Sequence, residues 1–222
     1  MDEQLVVARR LTNLARPYLE RNDTNGLAER IVEEWSPECL RLLLTCDDTE
    51  TVEIAVTCLG LIGDRTSAPA LAELLHHADP DVTAAAENAL WSIWFRAAGP
   101  MAQAVLSRVA QAITAGDTEN VVPMLTELIR AYPGYAEAYH QRSQAHYLQN
   151  CYQLALQDAR RAFQINPLHF GALANEAHAL AALGRMREAL KVYRQVLRLH
   201  PTMPGIREAI GHLRRRVKPI EV

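Results

Sequence analysis

The 222 residues are 49% apolar and 22% charged, with 6% aromatics, a makeup that suits a folded, helix-rich chain better than a β-rich or disordered one. No run approaches the ~20 uninterrupted apolar residues of a membrane helix, and the opening MDEQLVVARRLTNLARPYLER puts acids first, unlike a secretory leader; a cytoplasmic protein with no membrane role is expected. The net charge of −3 conceals a polarity: residues 1–100 hold 17 acidic and 8 basic side chains, whereas residues 101–222 hold 9 and 15.

Residues 3–34 read as a worn helical hairpin, with helices near 3–20 and 25–34. From there a period of 31 takes over. Leu40, Leu43 and Leu44 recur as Leu71, Leu74 and Leu75; Asp48 recurs as Asp79, Ala55 as Ala86, Leu59 as Leu90 and Ile62 as Ile93. In DPDVTAAAENAL, Asp79 is an N-cap, Pro80 occupies the first turn where its missing N–H costs nothing, and Ala85, Ala86, Ala89 and Leu90 form the packed face. Ser36 and Pro37 repeat the device. These units, at 37–67 and 68–98, resemble short HEAT-like repeats of the kind found in phycobilin lyases. Val52 and Thr83 stand where that family usually has a basic residue, so a function that needs a ladder of arginines is not implied. Trp91, Trp94 and Phe95 replace Gly60, Gly63 and Asp64 of the preceding unit. They are expected to form an aromatic wedge before Gly99-Pro100, joining the two arrays into one superhelix, with an exposed binding patch as the alternative.

Beyond Gly99 the period is 34. Pro133, Pro167 and Pro201 share one register, Gly116, Asn150 and Gly184 a second, Val121, Ala155 and Ala189 a third, and Val109, Ser143, Ala177 and Gly211 a fourth. Gly and Asn tolerate a left-handed backbone and so mark the turn between two helices, while each Pro ends the second helix. The small residues at Ser143, Ala177 and Gly211 are expected to let paired helices approach closely. The unit is helix–turn–helix, and with its terminal Pro it resembles the tetratricopeptide repeat. Three repeats fall at 102–135, 136–169 and 170–203, with 204–217 as a solvating helix. Arg108, Arg142 and Glu176 stand where the family has an apolar residue, and His146 replaces its usual aromatic.

The expected fold is therefore all-α, an α-solenoid of antiparallel helical hairpins. Residues 1–98 form a HEAT-like segment with a degenerate N-terminal capping hairpin, and residues 102–222 form three tetratricopeptide-like repeats with a C-terminal capping helix.

Chemistry is sparse. No P-loop, GxSxG, HExxH or GxGxxG occurs, and no Cys/His spacing fits a metal, so neither catalysis nor a cofactor nor a metal is expected. The four cysteines are read as free thiols, mostly buried, and His76-His77 as a solvated helix end. Arg214, Arg215, Arg216 and Lys218 suit a helix C-terminus, and the broad basic face with stacking aromatics that nucleic acid requires is missing.

The tetratricopeptide resemblance implies a concave groove lined by each repeat's first helix. It assigns to that groove His140, Gln141, Gln144, Asn175, His178 and His212, with Tyr147 close by as an aromatic anchor. Polar side chains there could hydrogen-bond an extended peptide. One tetratricopeptide subclass grips a chaperone's C-terminal carboxylate with Lys, Arg and Asn; only Asn175 matches that set, and His140 stands where a Lys would be needed. The leading expectation is a protein–protein interaction adaptor that holds an extended segment of a partner. Two alternatives stay open: a lyase-like or chaperone-like accessory protein, suggested by the HEAT-like resemblance, and a homo-oligomer formed through an exposed end of the stack.

Overall fold

The computed structural model describes residues 3–115 and 119–216, with the side chains of Glu3 and Gln4 excepted. Every regular element among the described residues is helical. The chain divides into two compact units, residues Met1–Ala97 and Ala98–Val222.

In the first unit α1 (Glu3–Leu19) and α2 (Thr24–Glu34) make the opening hairpin, joined through Leu11, Ala15, Leu27 and Ile31, all fully buried. Short α3 (Pro37–Leu42) ends in a 3₁₀ turn and leads to α4 (Thr49–Ile62); α5 (Ala68–Glu73), with its own 3₁₀ turn, leads to α6 (Pro80–Arg96). The capping chemistry is as the sequence implies. Ser36 accepts from the N–H of Cys39, Asp48 from that of Thr51 and Asp79 from that of Asp81. Helices α4 and α6 come so close that a Cβ at Gly60 would stand 3.1 Å from the Ala89 Cα, and only a glycine fits without displacing backbone. Val52 and Thr83 are buried, so the repeat has no room for a basic side chain at that register.

Arg96, on the last turn of α6, donates to the carbonyls of Gly60 at 2.7 Å and Gly63 at 3.1 Å. It thereby satisfies the orphan acceptors at the end of α4. Trp94 is buried and meets Trp91 edge-on at 5.2 Å, while Trp91 and Phe95 are half-buried.

In the second unit three hairpins follow one another: α7 (Pro100–Thr114) with α8 (Val121–Ala131), α9 (Ala136–Leu148) with α10 (Tyr152–Ile165), and α11 (Phe170–Ala182) with α12 (Met186–Leu199). Each second helix stops two residues before its proline. Asn150 and Gly184 turn the chain at φ 59° and 76°, and their register mate Gly116 lies outside the described residues. Helix α13 (Ile206–Arg216) closes the unit by laying Ile206, Ile210 and Leu213 on the core of Leu173, Ala177, Leu180, Tyr193 and Val196. Its outer face is polar, with Arg207, Glu208, His212 and Arg214 exposed.

Two readings of the sequence need correction. Ser143 and Ala177 are fully buried between helices, but a Cβ at Gly211 would meet only the Arg215 side chain at 3.8 Å, so no close approach depends on that glycine. Of the four free cysteines only Cys58 is buried, where burial pushes its thiol up to about 12; Cys39 and Cys151 are exposed.

Candidate functional site

Helices α9 and α11 are the first helices of adjacent hairpins, and their facing sides carry a buried polar network. Glu137 sits in the first turn of α9 and His169 at the N-cap of α11. The His169 Nδ1 accepts from the backbone N–H of Ala172 at 3.1 Å, which leaves the proton on Nε2; that nitrogen lies 3.0 Å from Glu137 Oε2 and donates to it. Gln141 donates to the other carboxyl oxygen at 2.6 Å. The His140 ring packs against that of His169 at 4.6 Å, and its Nδ1 accepts from the Asn175 amide at 3.3 Å. Burial keeps both imidazoles neutral. It drives His140 down to about 4, with Glu137 opposing and His169 adding to the effect, and His169 down to about 3. Burial also raises the Glu137 carboxyl, against the opposing influence of His140 and Gln141.

Asn175 is the link between this network and the surface. Together with Gln144, Tyr147, Leu148 and His178 it lines a hollow of ≈ 380 Å³, bordered also by Ile113 of α7 and Val121 of α8. His178 is held from behind by a 2.7 Å hydrogen bond between its Nδ1 and the Tyr193 hydroxyl, and burial lowers its pKa. Tyr147 stands between two rings, 5.3 Å from Tyr152 and 6.3 Å from His178. Ile113, Tyr147 and Leu148 are among the exposed large apolar side chains of the unit, and all three border this one hollow.

The seven residues assigned to the groove thus part company. Gln144, Tyr147, Asn175 and His178 share the hollow. Gln141 is half-buried and spent on Glu137. His140 is only 2% exposed and does not border the hollow, but its Nδ1 holds the Asn175 amide. His212 is exposed on α13, bonded to Arg215, and does not border the hollow. Ile113 and Leu148 were missed because they lie off the polar registers. Their signal was available: large apolar residues one helical turn from those rows.

Two of the residues that break the apolar repeat pattern, Arg142 and Glu176, bond to neighbouring helices. Arg142 of α9 grips Asp158 of α10 with two 2.8 Å bonds and reaches Thr126 of α8 at 3.1 Å, while Glu176 of α11 accepts from Arg160 of α10 at 2.8 Å. The bonds to Thr126 and Arg160 each reach back to the preceding hairpin. In the first unit a second hollow of ≈ 370 Å³ opens between α4 and α6, with Glu53 and Asp81 at its edge and Gly60, Ala84 and Ala89 along it. Burial raises the Glu53 carboxyl, and Asp81, Asp79 and Glu50 add to the rise. Among the described residues no group of three or more His, Cys, Asp or Glu is arranged to hold a metal ion, and no helix is long and apolar enough to cross a membrane.

Fold and site together define an α-helical repeat protein built of two hairpin types. Residues 8–91 match HEAT repeats, a span that takes in most of the worn opening hairpin, and residues 170–202 match the tetratricopeptide repeat, so the chain carries HEAT repeats followed by tetratricopeptide repeats. A TPR repeat-containing protein of Rhizobium etli is 24% identical over 141 residues, covering 64% of this chain and 69% of that protein. Mouse serine/threonine-protein phosphatase 5 is 34% identical over 87 residues, or 39% of this chain, and the match spans only 17% of the phosphatase. The solved first TPR of Spaghetti (RPAP3), bound to the HSP90 peptide SRMEEVD, superposes with a TM-score of 0.50 at 20% identity, over 52% of this chain and 91% of that one, a likeness of fold.

Proposed function

We propose that this protein is an interaction adaptor that holds an extended segment of a partner protein in the hollow between α7, α9 and α11. One observation carries the reading: Gln144, Asn175 and His178, which the tetratricopeptide resemblance assigns to a groove, and Tyr147 close by them line one hollow together with exposed Ile113 and Leu148. Exposed apolar side chains beside amides are what an extended chain needs, since the former bury its side chains and the latter bond its backbone. A domain of the same fold holds an HSP90 peptide, which supports peptide capture as a use for such a surface. The acidic hollow of the first unit offers a second surface to a partner.

The test is affinity capture of partners by the wild type and by Tyr147→Ala and Gln144→Arg, each first shown to keep its helicity by circular dichroism. Both substitutions lie at exposed positions and should leave stability within about 0.5 kcal/mol. Partners lost from both variants support the groove. Equal recovery moves the contact to the first unit.

A further inference from the structure

Resting on that reading, we infer that the hollow selects an uncharged peptide segment anchored by one large apolar side chain, and that it rejects acidic ends. Among the described residues, the nine that line it, Ile113 to His178 in chain order, include no Asp, Glu, Lys or Arg. Arg142 of α9 and Glu176 of α11 are engaged elsewhere, with Asp158 and Arg160 of α10. His178 gives its Nδ1 to Tyr193, and His140 is buried and bonded to Asn175. A ligand carboxylate or ammonium entering here would lose water and find no counter-charge, which costs far more than an apolar side chain gains.

The apolar part of the lining points to the same occupant. Ile113 and Leu148 are 41% and 69% exposed, and with Tyr147 they leave apolar surface open to solvent on the rim of a hollow otherwise floored by amides. An anchor side chain seated among these three would cover them, while Gln144 and Asn175 meet the peptide bonds on either side of it. At ≈ 380 Å³ the space is at the small end of ligand clefts, enough for one anchor and its neighbours.

The experiment selects binders from a displayed library of random dodecapeptides and remeasures the winners as synthetic peptides by fluorescence anisotropy, with methyl NMR of Ile113, Leu148 and Ala145 reporting occupancy. Winners should be neutral and carry one Leu, Ile, Met or aromatic residue. Changing that residue to Ala should weaken binding about tenfold or more. Amidation of the C-terminus and added salt should change the affinity less than about twofold. Winners that are acidic, need a free terminal carboxylate and weaken with salt, yet shift the same methyls, would overturn the selectivity and keep the groove. Winners that leave those methyls unmoved, or a library that yields none, would overturn the groove itself and this inference with it.

Discussion

The two units solve the same problem, stacking helical hairpins, with different interiors. In the first, α4 and α6 bury Val52, Ala55, Leu59, Ala86, Ala89 and Leu90, and the buried polar side chains among the described residues are the hydroxyls of Thr51, Ser67 and Thr83. In the second, the buried polar groups include Glu137, His140, Asp158, His169 and His200. An apolar interface of small residues is tolerant of chemistry and intolerant of volume. A buried ionisable network reverses those sensitivities, because its partners are few and specific while each lost partner strands a desolvated group. Substitutions and acid should therefore act on the two units in opposite order.

The largest effect is expected from Glu137→Ala. It leaves the His169 Nε2–H and the Gln141 amide facing a void, and should cost about 3 kcal/mol in urea unfolding followed by circular dichroism. A loss under about 1 kcal/mol would mean that the network contributes little beyond its packing. Next, Gly60→Val drives a branched side chain into the Ala89 backbone and should cost about 2 kcal/mol. Tryptophan emission reads that change directly, since all three tryptophans, Trp35, Trp91 and Trp94, belong to the first unit.

Acid should act mainly on the second unit. His140 and His169 have folded pKa values of about 4 and about 3, below the ordinary 6.5, so the unfolded chain binds more protons between those limits. Stability is fully present above about pH 6.5 and is lost as pH falls toward 4, with a slope of up to about 1.4 kcal/mol per pH unit for each histidine. Glu137, raised by burial, opposes this with a single group. The melting temperature followed by tyrosine signals, six of the seven lying in the second unit, should drop between pH 7 and pH 5, and His140→Leu should flatten the slope. A pH-independent melt would contradict the neutral buried pair. The smallest effect is expected from Asp48→Ala, which removes the cap of α4 and should cost about 1 kcal/mol by the tryptophan readout.

Much of the fold was legible because repetition amplifies weak signals. One Asp before a helix says little, but Asp48 and Asp79 in register, followed by matched Ala and Leu, specify two hairpins. Likewise Asn150 and Gly184 at positive φ were readable from their common place in a 34-residue period. The candidate site was legible only where it shared that periodicity. Gln144, Asn175 and His178 stand on groove registers, whereas Glu137 and His169 have Gly171 and Tyr135 as register mates, so nothing in the repeat marks them. Their partnership depends on α9 and α11 lying side by side. Burial also could not be read from residue type: His140 and His212 look alike in sequence, yet one is interior and the other solvated.

The links that run back 16 residues, Arg142 to Thr126 and Glu176 to Arg160, have a consequence for the order of the hairpins. Positions 126, 160 and 194 are equivalent, and they hold Thr, Arg and Arg. A duplicate of residues 136–169 inserted after itself would set the second copy's Arg142 against Arg160. Exchanging the second and third hairpins would set Arg142 against Arg194. Like charges would then meet across the joint in both rearrangements. The three hairpins share a shape but are not interchangeable, and the chain carries in its charges a record of which one comes next.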